Sequence, residues 1–183
     1  FSKPEGHILL ATDPTIIRPA NYPSNMPGVG YRVVHIGDSP VLVINLQGQV
    51  FMKEEVASPF VAFDTIVDMP EHKDIKLRLV DFHGETTSER NAFKWHIDGR
   101  ATLFWGTHTH IQTNDARILP SGLGFITDIG MTGARDGVIG ITAETSLRHV
   151  RDGGKLKPEF DDVGPAIVSG MFVEIDSSKG TCT

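Results

Sequence analysis

Three histidines in two short segments carry most of the chemistry legible in this chain. The first segment is His108-Thr109-His110. In extended backbone, residues two apart point to the same side, so both imidazoles can face one metal site. Neutral imidazole suits zinc, iron and manganese-type centres. The other reading of the pair is two exposed loop histidines. The second segment is Asp81-Phe82-His83-Gly84-Glu85, with three potential ligands in five residues. Alternation places Asp81, His83 and Glu85 on one side if the backbone stays extended, and Gly84 permits a bend. The other reading is a strand end whose acids cap the following helix. Two strand ends offering histidines can converge on one pocket. Three histidines suit a di-metal centre without completing it, because a bridging carboxylate and further donors are needed.

The elements that must position these groups follow from pattern. Tyr31 to Ile36 reads as a strand, Gly37-Asp38-Ser39-Pro40 as a turn, and Val41 to Ile44 as a buried, β-branched strand. Ile75 to Val80 forms a strand running into the Asp81 segment. Ala101 to Trp105 forms another that runs into His108, and Gly124 to Thr127 a further short one. Helices are expected as a remnant over Pro4 to Ala11, over Phe60 to Met69, from Thr87 to Gly99, and from Thr142 to Val150 with Thr142 as N-cap. Ala166 to Ile175 supplies one or two closing strands. Prolines and glycines make residues 13 to 30 a loop, and residues 49 to 58 show no clear period. Strands alternating with helices give a mixed α/β layered sheet in one domain spanning residues 1–183. Both histidine clusters fall beyond strand carboxyl ends, where ligands bind in such sheets.

Composition bounds the function. The 183 residues carry 17 basic and 23 acidic side chains, a net of −6. That argues against a broad nucleic-acid surface and leaves room for a small anionic ligand at a metal. No apolar run reaches the ~18–20 residues a membrane span needs. The single cysteine, Cys182, excludes an internal disulfide and suits the cytoplasm. It reads as a loose terminal thiol. No strand–glycine–lysine phosphate loop is present, and no Gly-x-Ser-x-Gly elbow. Gly130-Met131-Thr132-Gly133 can approach a phosphate through its backbone. Asn45 and Gln47 either line the pocket or cap a turn, with the structural role preferred. His7, His35, His72, His96 and His149 read as isolated surface or partly buried residues.

Several segments together resemble one family. They are Ile17 to Pro23 (IRPANYP), Val43 to Gly48 (VINLQG), Asp81 to Glu89 (DFHGETTSE), Asp98-Gly99-Arg100, Gly106 to Thr113 (GTHTHIQT) and Ile126 to Gly133 (ITDIGMTG). In this order they are similar to the YmdB-like branch of the calcineurin-like metallophosphoesterases. The resemblance covers nearly the whole chain. It implies a four-layer αββα sandwich and hydrolysis of phosphodiesters, with 2′,3′-cyclic nucleotides as the best-known substrates. It also implies two divalent metal ions (iron, manganese or zinc) and self-association. His83 and His108 match ligands of one metal, and His110 a ligand of the other. Asn45, Glu85, Thr109 and Thr132 are further candidates for supporting the metals or touching substrate. The family's N-terminal strand with a metal-binding Asp, its Glu-Asn pair and its Gly-Asn-His segment with the general acid are not found here, nor is its last strand. The expectation is therefore that this chain is part of a larger product, with exposed apolar sheet edges and weak activity on its own. Two further readings stand beside it: a regulatory or nucleotide-sensing module with an impaired metal site, and a mononuclear hydrolase using only the three histidines.

Overall fold

A computed structural model describes residues 3–153, 157–160 and 162–183. In chain order the elements are α1 (Pro4–Thr12), β1 (Tyr31–Ile36), β2 (Ser39–Gln47), α2 (Pro59–Val67), β3 (Leu77–His83), α3 (Thr87–Ile97), β4 (Leu103–Thr107), β5 (Arg117–Ile118), β6 (Gly124–Ile126), β7 (Thr132–Ala134), α4 (Ala143–Asp152), β8 (Ala166–Val168), β9 (Ile175–Asp176) and β10 (Thr181–Cys182). Six strands make one sheet in the order β1-β2-β3-β4-β6-β5. β2, β3, β4 and β6 are parallel, and the two edge strands run antiparallel to them. The expected mixed α/β class is what the chain forms.

The period-2 pattern of the strands decides which face is core. Ile44 pairs with Val80 and Leu46 with Phe82, and Val80 in turn pairs with Phe104. These side chains share one face and are fully buried. They meet Phe63, Ile66 and Val67 of α2 and Phe93 and Ile97 of α3. Phe93 is the hub, with ring centroids 4.9 Å from Phe82 and 5.5 Å from Phe104. Both crossover helices start with a cap. The Ser58 hydroxyl accepts from the Val61 N–H, followed by Pro59 in the first turn, and the Thr86 hydroxyl accepts from the Glu89 N–H. Gly99, at φ 78°, lies just beyond α3.

The other face of the same strands carries Asn45 and Gln47, Asp81 and His83, and Thr107. Asn45 is opposite Asp81, and His83 is opposite both Gln47 and Thr107. The sheet thus places its apolar side chains under the helices and its chemistry on the opposite face, at the carboxyl ends.

Several expectations are corrected. The turn is only Gly37-Asp38, so β2 begins at Ser39 and Pro40 pairs with His35. Gly37, at φ 58°, makes this two-residue loop possible. Thr142 sits at the N-cap position of α4 but makes no capping hydrogen bond. The closing strands do not join the large sheet: β8 pairs with β7 and β9 with β10. Cys182 is not loose. It is buried, its thiol donates to the Thr102 carbonyl at 3.2 Å, and burial raises its pKa. His72 is buried, with Nδ1 donating to the Ile66 carbonyl at 2.7 Å. Val33, Val34 and Ile36 on β1 and Ile118 on β5 are exposed apolar residues on the two edge strands of the sheet. Among the described residues no helix is long and apolar enough to cross a membrane.

Candidate active site

Beyond the carboxyl ends of β2, β3 and β4 opens a cleft of about 580 Å³ that gathers Asn45, Gln47, Asp81, His83 and His108. The loop carrying IRPANYP forms one wall, and local polar contacts explain its sequence. Buried Arg18 donates to the carbonyls of Pro19, Met26 and Pro27, which folds the loop on itself. Asn21 pins it to β2, donating to the carbonyls of Gln47 and Ala57 and accepting from the Gln47 N–H. Tyr22 then faces the cleft, its hydroxyl donating to Gln47 Oε1 at 2.7 Å.

A continuous polar chain crosses the floor. Asn45 Nδ2 donates to Asp81 Oδ2 at 2.8 Å, and the Thr107 hydroxyl donates to Asp81 Oδ1 at 3.3 Å. Asn45 therefore lines the pocket, contrary to the structural role preferred for it. Burial pushes the Asp81 carboxyl above its ordinary value, against the pull of these two bonds. Having spent its proton on Asp81, the Thr107 oxygen accepts from His83 Nδ1–H at 3.0 Å. His83 Nε2 is then a lone pair. It faces His108 Nδ1 at 3.1 Å. On the far side, His108 Nε2–H donates to Glu85 Oε2 at 2.7 Å, which turns Nδ1 toward His83. At this separation the two nitrogens are joined by a shared proton or by a metal ion between them. Two imidazole nitrogens sharing one tetrahedral zinc at ~2.0–2.1 Å stand ~3.3 Å apart, close to the observed separation. Burial lowers the His83 pKa, and His108 and Arg90 push it the same way, which favours the neutral, ligating ring.

The backbone supports the same reading. His108 and His110 adopt φ 121° and φ 66°, left-handed values that cost a non-glycine residue of order 1–3 kcal/mol each. Such strain concentrates at functional sites. However, the two histidines of the pair do not point together. His110 is exposed and its Nδ1 donates to the Ile139 carbonyl at 3.1 Å. Among the described residues no group of three or more histidine, cysteine or acidic side chains is arranged to hold a metal. His83 and His108 thus fit as part of a donor set. Glu85 is gathered beside His108 and does not cap α3. Thr109 holds the loop from outside the cleft, its N–H donating to Asp128 Oδ2. Thr132 lies in β7, opposite Val168, and does not line the cleft. The glycine segment is similarly committed: the Gly130 N–H donates to Asp128 Oδ1, and residues 132–134 pair with β8.

The residues that sequence patterns did not disclose lie beneath the cleft. Arg90 of α3 is fully buried and ion-paired with buried Asp128 at 3.3 Å. It donates to the carbonyls of Gly84, Thr107 and Thr127. One guanidinium therefore ties together the ends of β3, β4 and β6. Gly106 allows this close approach, since a Cβ there would stand 1.8 Å from the Thr127 carbonyl oxygen. Gly106→Ala is expected to destabilise the protein by about 2–3 kcal/mol through forced backbone shifts. A urea midpoint within error of the unsubstituted protein would refute that.

The family model of YmdB-like proteins matches residues 1–183. The chain belongs to the YmdB-like family. A 2′,3′-cyclic-nucleotide 2′-phosphodiesterase of Bacillus subtilis is 39% identical over 163 residues, covering 89% of this chain and 61% of that protein. A crystal structure of a phosphatase from Mycoplasma pneumoniae superposes with a TM-score of 0.88 at 31% identity, over 100% of this chain and 66% of that one. A hypothetical protein of Thermus thermophilus gives 0.82 at 36% identity, over 91% and 64%. This YmdB-like chain therefore spans less than two thirds of the length of its Bacillus relative.

Proposed function

We propose that this chain supplies half or more of a metal-dependent phosphodiesterase site that hydrolyses cyclic nucleotides of the 2′,3′ class. The observation that carries the reading is the pair of imidazole nitrogens, His83 Nε2 and His108 Nδ1, 3.1 Å apart at two parallel strand ends. Their outer nitrogens are fixed by Thr107 and Glu85, the arrangement that orients metal-binding histidines elsewhere. The family and the activity named for the Bacillus relative support the substrate class.

Within this reading His83 and His108 would hold one divalent ion, and His110 would serve a second. When bound, such ions supply Lewis-acid charge to the phosphoryl oxygens and lower the pKa of an attacking water. The chain's own residues do the rest. Asp81, Asn45 and Thr107 keep His83 in its ligating tautomer. Gln47 is held between Tyr22 and Glu54 at the cleft wall, and Lys53 beside Glu54 offers an ammonium for an anionic substrate. Neither His83 nor His108 has a nitrogen left over for proton transfer to the leaving oxygen. Iron, manganese and zinc all suit imidazole with oxygen donors.

A binding module without turnover is the second reading, favoured by the outward-facing His110. Elemental analysis and hydrolysis of 2′,3′-cyclic AMP by the whole protein separate the two. About two metal ions per chain, activity lost on chelation and activity restored by manganese, iron or zinc are expected. Undiminished turnover in a metal-free preparation would overturn the metal mechanism. Bound metal with no turnover would favour the module.

A further inference from the structure

We propose that Phe51 is the base-stacking platform of this cleft, and that a nucleobase lies on its ring while the phosphate end reaches toward His83 and His108. The inference rests on the hydrolase reading for the identity of that reacting end. Phe51 is 85% exposed, yet it lines the same cleft as the two histidines. It is also held in a left-handed conformation, φ 61°, that a bulky residue adopts only when its surroundings impose it.

Those surroundings are specific. Glu89, buried in the first turn of α3, accepts from the Gln49 N–H at 2.9 Å and the Val50 N–H at 3.2 Å. The loop can approach the carboxylate only because residue 48 is glycine: a Cβ there would stand 2.4 Å from Glu89 Oε2. A closing Met52 N–H to Gln49 carbonyl bond completes the turn. The loop tip is therefore set in advance, and it presents a flat apolar ring to solvent beside a polar floor. Tyr22 and Met52 extend the apolar wall, while the amides of Asn45 and Gln47, the ammonium of Lys53 and the carboxylates of Glu54 and Asp81 offer polar and charged groups nearby. A ligand that meets them all has a planar aromatic part for the wall, hydroxyls to donate to the carboxylates and an anionic group for Lys53, which describes a nucleotide better than a simple phosphodiester. Stacking on an aromatic side chain tolerates any base and is worth roughly 5- to 100-fold in affinity.

Calorimetric binding of adenosine 3′-monophosphate and of base-free ribose 3-phosphate to the whole protein tests this. Phe51→Ala should weaken the nucleotide at least about 5-fold, Phe51→Trp should restore it, and ribose 3-phosphate should bind all three proteins alike. Uridine and guanosine 3′-monophosphates should show losses of similar size. Unchanged nucleotide affinity in Phe51→Ala would overturn the proposal. So would an equal loss for ribose 3-phosphate, or a changed oligomeric state, since either means that Phe51 packs against protein and not base. A protein that binds nucleotide through Phe51 but does not hydrolyse 2′,3′-cyclic AMP would remove the hydrolase reading and leave the platform standing.

Discussion

Replacing Arg90 by alanine is expected to cost about 3–5 kcal/mol of stability, the penalty for stranding one partner of a buried ion pair. For a domain of this size that corresponds to a fall in Tm of roughly 10 °C. Arg90 and Asp128 are both shielded from solvent, with side-chain exposure of 0% each. Without the guanidinium, Asp128 keeps only its backbone donors, Thr109 N–H and Gly130 N–H. The carbonyls of Gly84, Thr107 and Thr127 lose their shared donor at the same time. Burial draws the Arg90 pKa down and Asp128 opposes it, but a guanidinium stays protonated throughout. Arg90→Lys should recover less than half of the loss, because one ammonium cannot span three carbonyls in the planar fork that arginine provides.

The double replacement is informative as well. Exchanging a buried ion pair for apolar side chains is often close to neutral. Here it should not be, since Asp128 also fixes two backbone N–H groups. Arg90→Met with Asp128→Leu should remain destabilised by about 2 kcal/mol, one desolvated group for each orphaned N–H. Urea unfolding of the whole protein and its variants measures all of these. A loss below about 1 kcal/mol for Arg90→Ala would mean that the three strand-end loops hold their shape unaided.

These residues also mark where sequence reading stops. Short β-branched runs disclosed β2 and β3, and the register then brought Asn45 to Asp81 and Gln47 to His83 as the strand-end argument requires. Local patterns carry such information because neighbouring positions share a period. Arg90 read only as part of a helix start, because its partners lie in three separate loops and leave no period at all. Thr107 likewise carried no signal of its own, although its hydroxyl meets His83 Nδ1 at 3.0 Å. β5 is two residues long, too short for alternation to register. The segment around Phe51 showed no pattern because its conformation is imposed by Glu89 from α3. The outward turn of His110 was hidden for a further reason. The same-side argument assumes extended backbone, and φ values of 121° and 66° break that assumption at both histidines.

That broken assumption yields the second large effect. Both His108→Ala and His108→Gly should reduce hydrolysis by at least about 100-fold, the upper end of what losing even an orienting partner of a metal ligand costs. The two variants should differ in stability in a way their side chains do not explain. Alanine must still hold φ near 121°, whereas glycine enters that region freely. Glycine loses about 0.5–1 kcal/mol more to the entropy of the unfolded chain. Relief of strain is worth of order 1–3 kcal/mol, so the glycine variant should come out roughly 1 kcal/mol more stable than the alanine variant. The half-exposed contact to Glu85 is lost equally in both and cancels. Urea midpoints and initial rates on 2′,3′-cyclic AMP read the two quantities separately. If alanine is as stable as glycine, the backbone at His108 is not strained. If either variant keeps a tenth of the activity, the proposal that His108 holds a metal ion fails. If both results come out as expected, the fold sustains an unfavourable backbone at this residue for what its imidazole binds.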